Sequence, residues 1–202
     1  MIPRFEPDLN FEEIKNIFIP HYNKIEIFEK RFAEKFDALE AVSFPYGRSA
    51  QWSFLKFLEL EGSEVILPAY TCSVVAHAIT LSNYKPIFID INLYDYNMNL
   101  DILLKSINEK TRVIILTHTF GYPQNIDKVL DIIKIFEKKF NHKIWLINDC
   151  CHAFGAKWGD KNISSYGDIS IYALNISKII TSVFGGVATF QDKKLGEKFK
   201  KW

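Results

Sequence analysis

Short apolar runs alternate with helix-patterned stretches along most of this chain of 202 residues. The runs are continuously apolar rather than alternating with polar positions, which is typical of parallel strands covered on both faces. Repeated strand–helix units of this size imply right-handed crossovers between neighbouring strands. We therefore predict an α/β fold with three layers, α/β/α, around a mostly parallel sheet.

The predicted elements fall into two parts of the chain. We expect an N-terminal helical segment over residues 1–35 and one large domain over residues 36–202, whose final stretch looks like the start of a further helix. The predicted strands lie near Ala41–Phe44, Val65–Leu67, Pro86–Asp90, Val113–Leu116, Ile144–Asn148, Asp168–Ala173 and Gly186–Phe190. The predicted helices lie near Phe11–Phe18, Ile25–Phe36, Ala50–Leu58, Ser73–Leu81, Leu100–Ile107, Ile126–Phe140 and Asp192–Trp202.

Composition narrows the class of protein. The formal net charge of +1 gives no reason to expect nucleic acid or an anionic membrane as a partner. No apolar run approaches the roughly 18 residues of a membrane span, and the first residues lack a signal-peptide pattern. Three cysteines (Cys72, Cys150 and Cys151) without a C-x-x-C motif favour a reducing compartment. We expect a soluble, cytoplasmic protein.

Asp149 and Lys178 are the strongest candidates for chemistry. Asp149 ends an apolar strand run, and Lys178 follows 29 residues later among apolar neighbours, with Gly185-Gly186 beyond it. An acid that keeps a pyridine nitrogen protonated and a lysine that forms a Schiff base are the minimum equipment of a pyridoxal phosphate (PLP) enzyme. Taken singly, Asp149 could cap a turn, and Lys178 could be a solvated surface lysine.

The turn Gly47-Arg48-Ser49 precedes a predicted helix, so its amides and hydroxyl could bind a phosphate. The alternative is that Ser49 is an ordinary N-cap. In doubly wound sheets, ligands bind beyond the carboxyl ends of the strands. This rule places Asp90, Thr117-His118 and Asp149 at the same rim as the Gly47 turn.

Cys150-Cys151-His152 follows Asp149 directly. A thiol nucleophile or a metal site is the alternative function, but neither ligand spacing nor a second cluster supports a metal. We interpret the two cysteines as packing residues and His152 as a ligand contact. His118 and His77 are interpreted as structural histidines.

The segment Asp149–Ala156 reads D-C-C-H-A-F-G-A and is the most specific motif in the chain. Shorter motifs occur at Ile2–Asp8, Ile27–Ala33, Gly47–Ala50, Pro68–Thr71, Ile87–Ile91 and His118–Pro123. Together with Lys178 and Gly185-Gly186, they resemble the DegT/DnrJ/StrS family of PLP-dependent sugar aminotransferases, which have aspartate aminotransferase fold type I. The resemblance extends from about Ile2 to the end of the chain.

The resemblance implies a function and a set of site residues. The enzyme would transfer an amino group from an amino acid such as glutamate to a keto group on a nucleotide-linked sugar, as a homodimer. Lys178 would be catalytic, Asp149 would pair with the pyridine nitrogen, and His152 would contact a cofactor oxygen. The full set of cofactor-binding residues would be Gly47, Arg48, Ser49, Tyr70, Cys72, Asp149, His152, Ser177 and Lys178. Only the large domain is covered, so we expect the C-terminal small domain to be missing.

This sequence departs from the family pattern at several positions that would bind the cofactor. Ala173 stands where the family usually has a phosphate-binding serine, and Asn175-Ile176 replaces His-Pro. The family's ring-stacking aromatic would fall at Cys72, so Tyr70 could supply the stack instead. Two alternatives stay open beside the aminotransferase. One is a non-catalytic or split PLP domain, and the other is a PLP enzyme acting on a substrate that is not a sugar.

Overall fold

The computed structural model describes residues 11–19 and 23–202, so the motif Ile2–Asp8 lies outside the described residues. The described strands are β1 (Glu40–Phe44), β2 (Glu64–Pro68), β3 (Lys85–Ile89), β4 (Thr111–Thr117), β5 (Trp145–Asp149), β6 (Lys157–Trp158), β7 (Lys161–Asn162), β8 (Ile169–Ala173) and β9 (Gly186–Phe190). The described helices are α1 (Phe11–Ile17), α2 (Lys24–Lys35), α3 (Gly47–Leu58), α4 (Ser73–Leu81), α5 (Leu100–Ser106), α6 (Ile126–Phe140) and α7 (Lys193–Lys201).

Seven strands form one sheet in the order β1-β9-β8-β5-β4-β2-β3. The pairs β8–β5, β5–β4, β4–β2 and β2–β3 are parallel, whereas β9 is antiparallel to both of its neighbours. The mostly parallel α/β sheet is thus confirmed. The remaining strands, β6 and β7, form a small separate hairpin.

Apolar residues on both faces of the sheet account for the three layers. Val65 and Leu67 of β2 belong to one core cluster together with residues of α3, α4 and α7, whereas the intervening Ile66 belongs to a second cluster with α5 and α6. Successive side chains of a strand point to opposite faces, so a fully apolar strand needs helices on both.

Local side chains set where two of the crossover helices begin. The side-chain oxygen of Asn99 accepts hydrogen bonds from the backbone of Asp101 and Ile102 at 3.0 and 3.1 Å, which starts α5. Asn125 accepts one from Lys128 at 3.1 Å and starts α6 in the same way. These caps fix the strand–helix loops at the carboxyl edge of the sheet.

Helix α2 packs onto the large domain. The ring of Phe32 lies 4.7 Å from that of Phe36 and 5.2 Å from that of Tyr172 in β8. The division of the chain at residue 35 stays a prediction. None of the described helices is long and apolar enough to cross a membrane.

Candidate active site

A cavity of about 500 Å³ opens at the carboxyl edge of the sheet. Loops after β2, β4, β5 and β8 surround it, together with the first turn of α3. Eight of the nine predicted site residues line it: Gly47, Arg48, Tyr70, Cys72, Asp149, His152, Ser177 and Lys178. Ser49 is not part of the lining.

Asp149 is the last residue of β5 and is largely buried. Its Oδ1 accepts a hydrogen bond from the backbone N–H of Cys151 at 3.0 Å, and its backbone carbonyl accepts one from His118 at 3.2 Å. The carboxylate is therefore held in place by the chain that follows it.

Lys178 lies on the loop that joins β8 to β9. The neck of this loop is closed by two backbone hydrogen bonds, from Leu174 to Gly185 at 2.8 Å and from Ile176 to Val183 at 3.2 Å. Next to the lysine, the Ser177 hydroxyl donates to Asn175 Oδ1 at 3.1 Å. Within residues 11–19 and 23–202, no carboxylate forms an ion pair with the Lys178 amine.

Asp149 and Lys178 both act electrostatically on the thiol of Cys151. Burial raises its pKa well above the ordinary value, the negative charge of Asp149 raises it further, and the positive charge of Lys178 acts in the opposite direction. Burial, with the charge of Asp149, also raises the pKa of Cys150. Both thiols therefore stay protonated near neutral pH, which argues against the thiolate nucleophile considered from the sequence.

The first turn of α3 borders the cavity with Gly47 and Arg48. Ser49 and Ala50 already donate to the carbonyl of Tyr46, at 3.1 and 3.2 Å. The preceding amides of Gly47 and Arg48 have no intrahelical partner by helix geometry. The guanidinium of Arg48 lies 4.3 Å from the ring centre of Tyr46. The N-cap is Tyr46, so the alternative in which Ser49 caps the helix is wrong.

His118 is a structural histidine, as interpreted from the sequence. Its Nδ1 accepts from the backbone N–H of Gln124 at 3.2 Å, and its Nε2 lies 3.1 Å from Asn148 Oδ1. Burial lowers the pKa of His118 to about 4. The ring is therefore neutral, with its proton on Nε2. His152, in contrast, lies at the cavity, where its ring stacks on that of Phe120 at 6.3 Å.

Two hydroxyls near Asp149 were not predicted as site residues. Thr71 Oγ1 lies 3.2 Å from Thr117 Oγ1, and Thr117 pairs with Asp149 in the register of β4 and β5. Both threonines line the cavity. The sequence placed Thr117 at this rim and Thr71 in the motif Pro68–Thr71, but it gave neither hydroxyl a role in the site.

The donor set suits an organic anion better than a metal ion. No cluster of three or more His, Cys, Asp or Glu side chains with metal-binding geometry occurs in the part of the chain that the structure describes. The cavity instead combines a carboxylate, a half-buried amine and the start of a helix.

These features define the class: an α/β domain that carries an acid and a lysine at one cavity, the two groups that a PLP-dependent enzyme needs. The chain belongs to the DegT/DnrJ/EryC1/StrS aminotransferase family, whose model matches residues 9–202. Among its relatives, GDP-perosamine synthase of Escherichia coli O157:H7 is 31% identical over 86% of this chain and 46% of its own length. The dTDP-4-amino-4,6-dideoxy-D-glucose transaminase of Shigella dysenteriae is 29% identical over 84% of this chain and 44% of its own length.

Solved structures agree with this assignment. Spr1654 of Streptococcus pneumoniae, assigned as a sugar aminotransferase and solved in a PLP form, is 25% identical with a TM-score of 0.89, over 98% of this chain and 57% of its own. The fold is also shared with the sugar aminotransferase CalS13 of Micromonospora echinospora, at a TM-score of 0.92 and 20% identity, over 99% of this chain and 57% of its own. The chain thus spans about half the length of the relatives that it matches.

Proposed function

We propose that this chain is the cofactor-binding part of a PLP-dependent aminotransferase that delivers an amino group to a keto group on a nucleotide-linked sugar. The observation that carries the proposal is that Asp149 and Lys178 line one cavity without forming an ion pair with each other. Space between an acid and an amine is what a pyridine ring needs. The cavity of about 500 Å³ is also within the usual size of cofactor sites.

The residues present fit PLP at each of its polar groups. Asp149, held by the Cys151 amide, would accept a hydrogen bond from the protonated pyridine nitrogen. Gly47 and Arg48 would receive the phosphate, because unpaired amides and a guanidinium favour an anion there. Tyr70 and Cys72 would flank the ring, and His152 would contact its oxygen.

When bound, PLP supplies a ring that accepts electrons from the bond broken at the substrate α-carbon. Lys178 would hold the cofactor covalently and, once released, take the α-proton of the amino donor and return a proton. Ser177, hydrogen-bonded to Asn175, would keep the backbone beside the lysine in place. Asp149 would keep its negative charge beside the pyridine nitrogen throughout.

The substrate assignment rests on the relatives, which act on GDP- and dTDP-linked sugars by their names. An amino acid such as glutamate would be the donor. We also propose that the protein is a cytoplasmic homodimer. Its chain would divide into an N-terminal helical segment, residues 1–35, and the PLP-binding large domain, residues 36–202. Two alternatives remain: a non-catalytic or split PLP domain, which would not transfer amino groups on its own, and a PLP enzyme whose amino acceptor is not a sugar.

The test is the visible absorbance of the protein after incubation with PLP and dialysis. The wild-type chain should retain the colour of the lysine-bound cofactor, and borohydride reduction should fix the added mass on the peptide that contains Lys178. Lys178→Ala should lose both, whereas Lys161→Ala, at an exposed position on β7, should lose neither. Retention of colour and mass by Lys178→Ala would refute the role of Lys178 and with it the proposed function.

A further inference from the structure

Three aromatic rings stand together at the rim of the cavity. Tyr70, Tyr96 and Phe120 have ring centres 5.6 to 6.5 Å apart, and each side chain is exposed by 45% or more. They come from the loops that follow β2, β3 and β4, which are neighbours in the sheet. We call these three residues the aromatic rim.

Two of these rings are held by an unfavourable backbone. Tyr96 has φ 59° and Phe120 has φ 55°, in the left-handed region that bulky side chains rarely adopt. Such strain persists only where the surroundings impose it, and it concentrates at ligand sites. Burial does not explain it here, because both rings remain exposed.

Hydrogen bonds within its own turn hold Tyr96 in this conformation. Its N–H donates to the carbonyl of Asn92 at 3.0 Å, and the N–H of Asn92 donates to the carbonyl of Asn97 at 2.9 Å. The carboxylate of Asp95 accepts from the Asn97 backbone at 2.9 Å and from the Asn92 amide at 3.2 Å. Asn97 itself is buried, so the turn is anchored in the fold.

Phe120 is held in a comparable way. Gly121 donates to the carbonyl of His118 at 3.2 Å, and Tyr122 donates to that of Thr119 at 3.0 Å. His118 and Thr119 are buried, so the exposed ring projects from a fixed base. Rings presented on rigid turns lose little conformational freedom when a ligand binds.

The aromatic rim lies between the cavity that contains Lys178 and the protein surface. Tyr70 and Phe120 line the cavity that contains Lys178, and Tyr96 contacts both rings from outside that lining. The ring planes of Tyr96 and Phe120 are at 88° to each other, so the edge of one ring faces the flat side of the other. The rim carries two phenol hydroxyls and no charge, which suits a flat uncharged heterocycle better than a diphosphate.

We propose that the aromatic rim is the subsite for the nucleobase of the substrate, which stacks on Tyr96 and Phe120 while the sugar reaches toward Lys178. This inference rests on the proposed function and adds the residues that select a nucleotide-linked sugar over a free one. Base–aromatic stacking needs only an exposed π face, and so the rim would accept more than one base.

The experiment measures nucleotide affinity of the PLP-loaded chain by calorimetry, with GDP and dTDP as probes and inorganic pyrophosphate as the comparison. Tyr96→Asn and Phe120→Asn should each weaken GDP and dTDP binding by about tenfold or more and leave pyrophosphate binding unchanged. Tyr94→Asn is the matched control, because Tyr94 lies on the same loop, is 84% exposed and should change nothing. Unchanged nucleotide binding in both rim variants, or an equal loss in Tyr94→Asn, would overturn the proposal.

Thermal unfolding separates ligand binding from a structural role. Asparagine tolerates a left-handed backbone better than tyrosine does, so Tyr96→Asn should melt at the same or a higher temperature than wild type. A lower melting temperature of Tyr96→Asn would show that the Tyr96 ring packs against the protein, and this would overturn the inference. A changed oligomeric state with unchanged GDP affinity would overturn it as well. Cofactor absorbance is recorded on every sample. If the rim variants bind nucleotides like wild type and the cofactor absorbance persists, only the inference about the aromatic rim is refuted and the proposed function still stands.

Discussion

A Cβ placed on Gly186 would lie 2.3 Å from the backbone nitrogen of Gly47. Strand β9 therefore starts in direct contact with the first turn of α3, and no side chain fits between them. This contact fixes the unpaired amides of Gly47 and Arg48 relative to the lysine loop, which ends at Gly185. The two glycines thus set the distance between the proposed phosphate site and Lys178.

Gly186→Ala should displace the start of α3. We expect a loss of about 1–3 kcal/mol in the free energy of unfolding, as for other overpacked sites, and a PLP affinity lowered at least tenfold. Gly47→Ala is the graded comparison, because its Cβ would meet Ala173 and the Tyr172 carbonyl at 3.2 Å and should be tolerated better. Urea unfolding and PLP titration measure both effects. Equal effects of the two substitutions would contradict the role of the Gly186 contact.

Asp149→Asn should preserve the shape of the site and remove its charge. We expect covalent attachment of PLP to survive, while the rate of amino transfer falls by about 10²–10³-fold, as when other stabilising groups are removed from active sites. Stopped-flow absorbance during a single half-reaction with glutamate measures this rate. An unchanged rate would exclude the pairing of Asp149 with the pyridine nitrogen. Asp160→Asn, at an exposed turn, is the control.

Cys72 should be the cysteine that reports occupancy of the cavity. It is exposed and lines the cavity, whereas Cys150 is buried and Cys151 is held protonated by burial and by Asp149. A disulfide reagent at neutral pH should therefore label Cys72 first, and bound PLP should slow this labelling. Mass spectrometry identifies the labelled peptide, and Cys72→Ser provides the blank. Equal labelling with and without PLP would place the cofactor elsewhere.

Stability should fall as the pH drops below about 6.5. Burial lowers the pKa of His118 to about 4 in the folded protein, so the unfolded chain binds the additional proton between these two values. This group alone should make the fold about 2 kcal/mol less stable at pH 5 than at pH 7. His118→Asn should flatten the dependence between pH 5 and 7, and His77→Asn, at an exposed position, should not. Urea unfolding at both pH values is the measurement, and a wild-type stability that rises toward pH 5 would contradict it.

The elements of the sheet follow closely from the sequence, because continuous apolar runs leave few alternatives. The positions predicted for β9 and α6 match the observed bounds, Gly186–Phe190 and Ile126–Phe140. The β6–β7 hairpin was missed because two-residue strands carry no periodicity, although Gly159-Asp160 is a hairpin turn signal.

The site was harder to predict where it depends on side chains from distant loops. Asp149 and Lys178 could be found because each follows an apolar run. The contact between Thr71 and Thr117 joins residues 46 positions apart, and only the strand register brings them together. The aromatic rim likewise depends on the order β4-β2-β3 and on a left-handed backbone at Tyr96 and Phe120. No residue pattern indicates either feature.

Strand β9 pairs on one side with β1, so that Glu40 lies opposite Phe190, and on the other side with β8. Strand β9 therefore joins the edge strand β1 to the rest of the sheet. Without β9 a gap would separate β1 from β8, and the lysine loop and the start of α3 would both lose the strand that they contact. The proposed cofactor site is therefore complete only once β9 has paired, which would couple cofactor uptake to closure of the sheet.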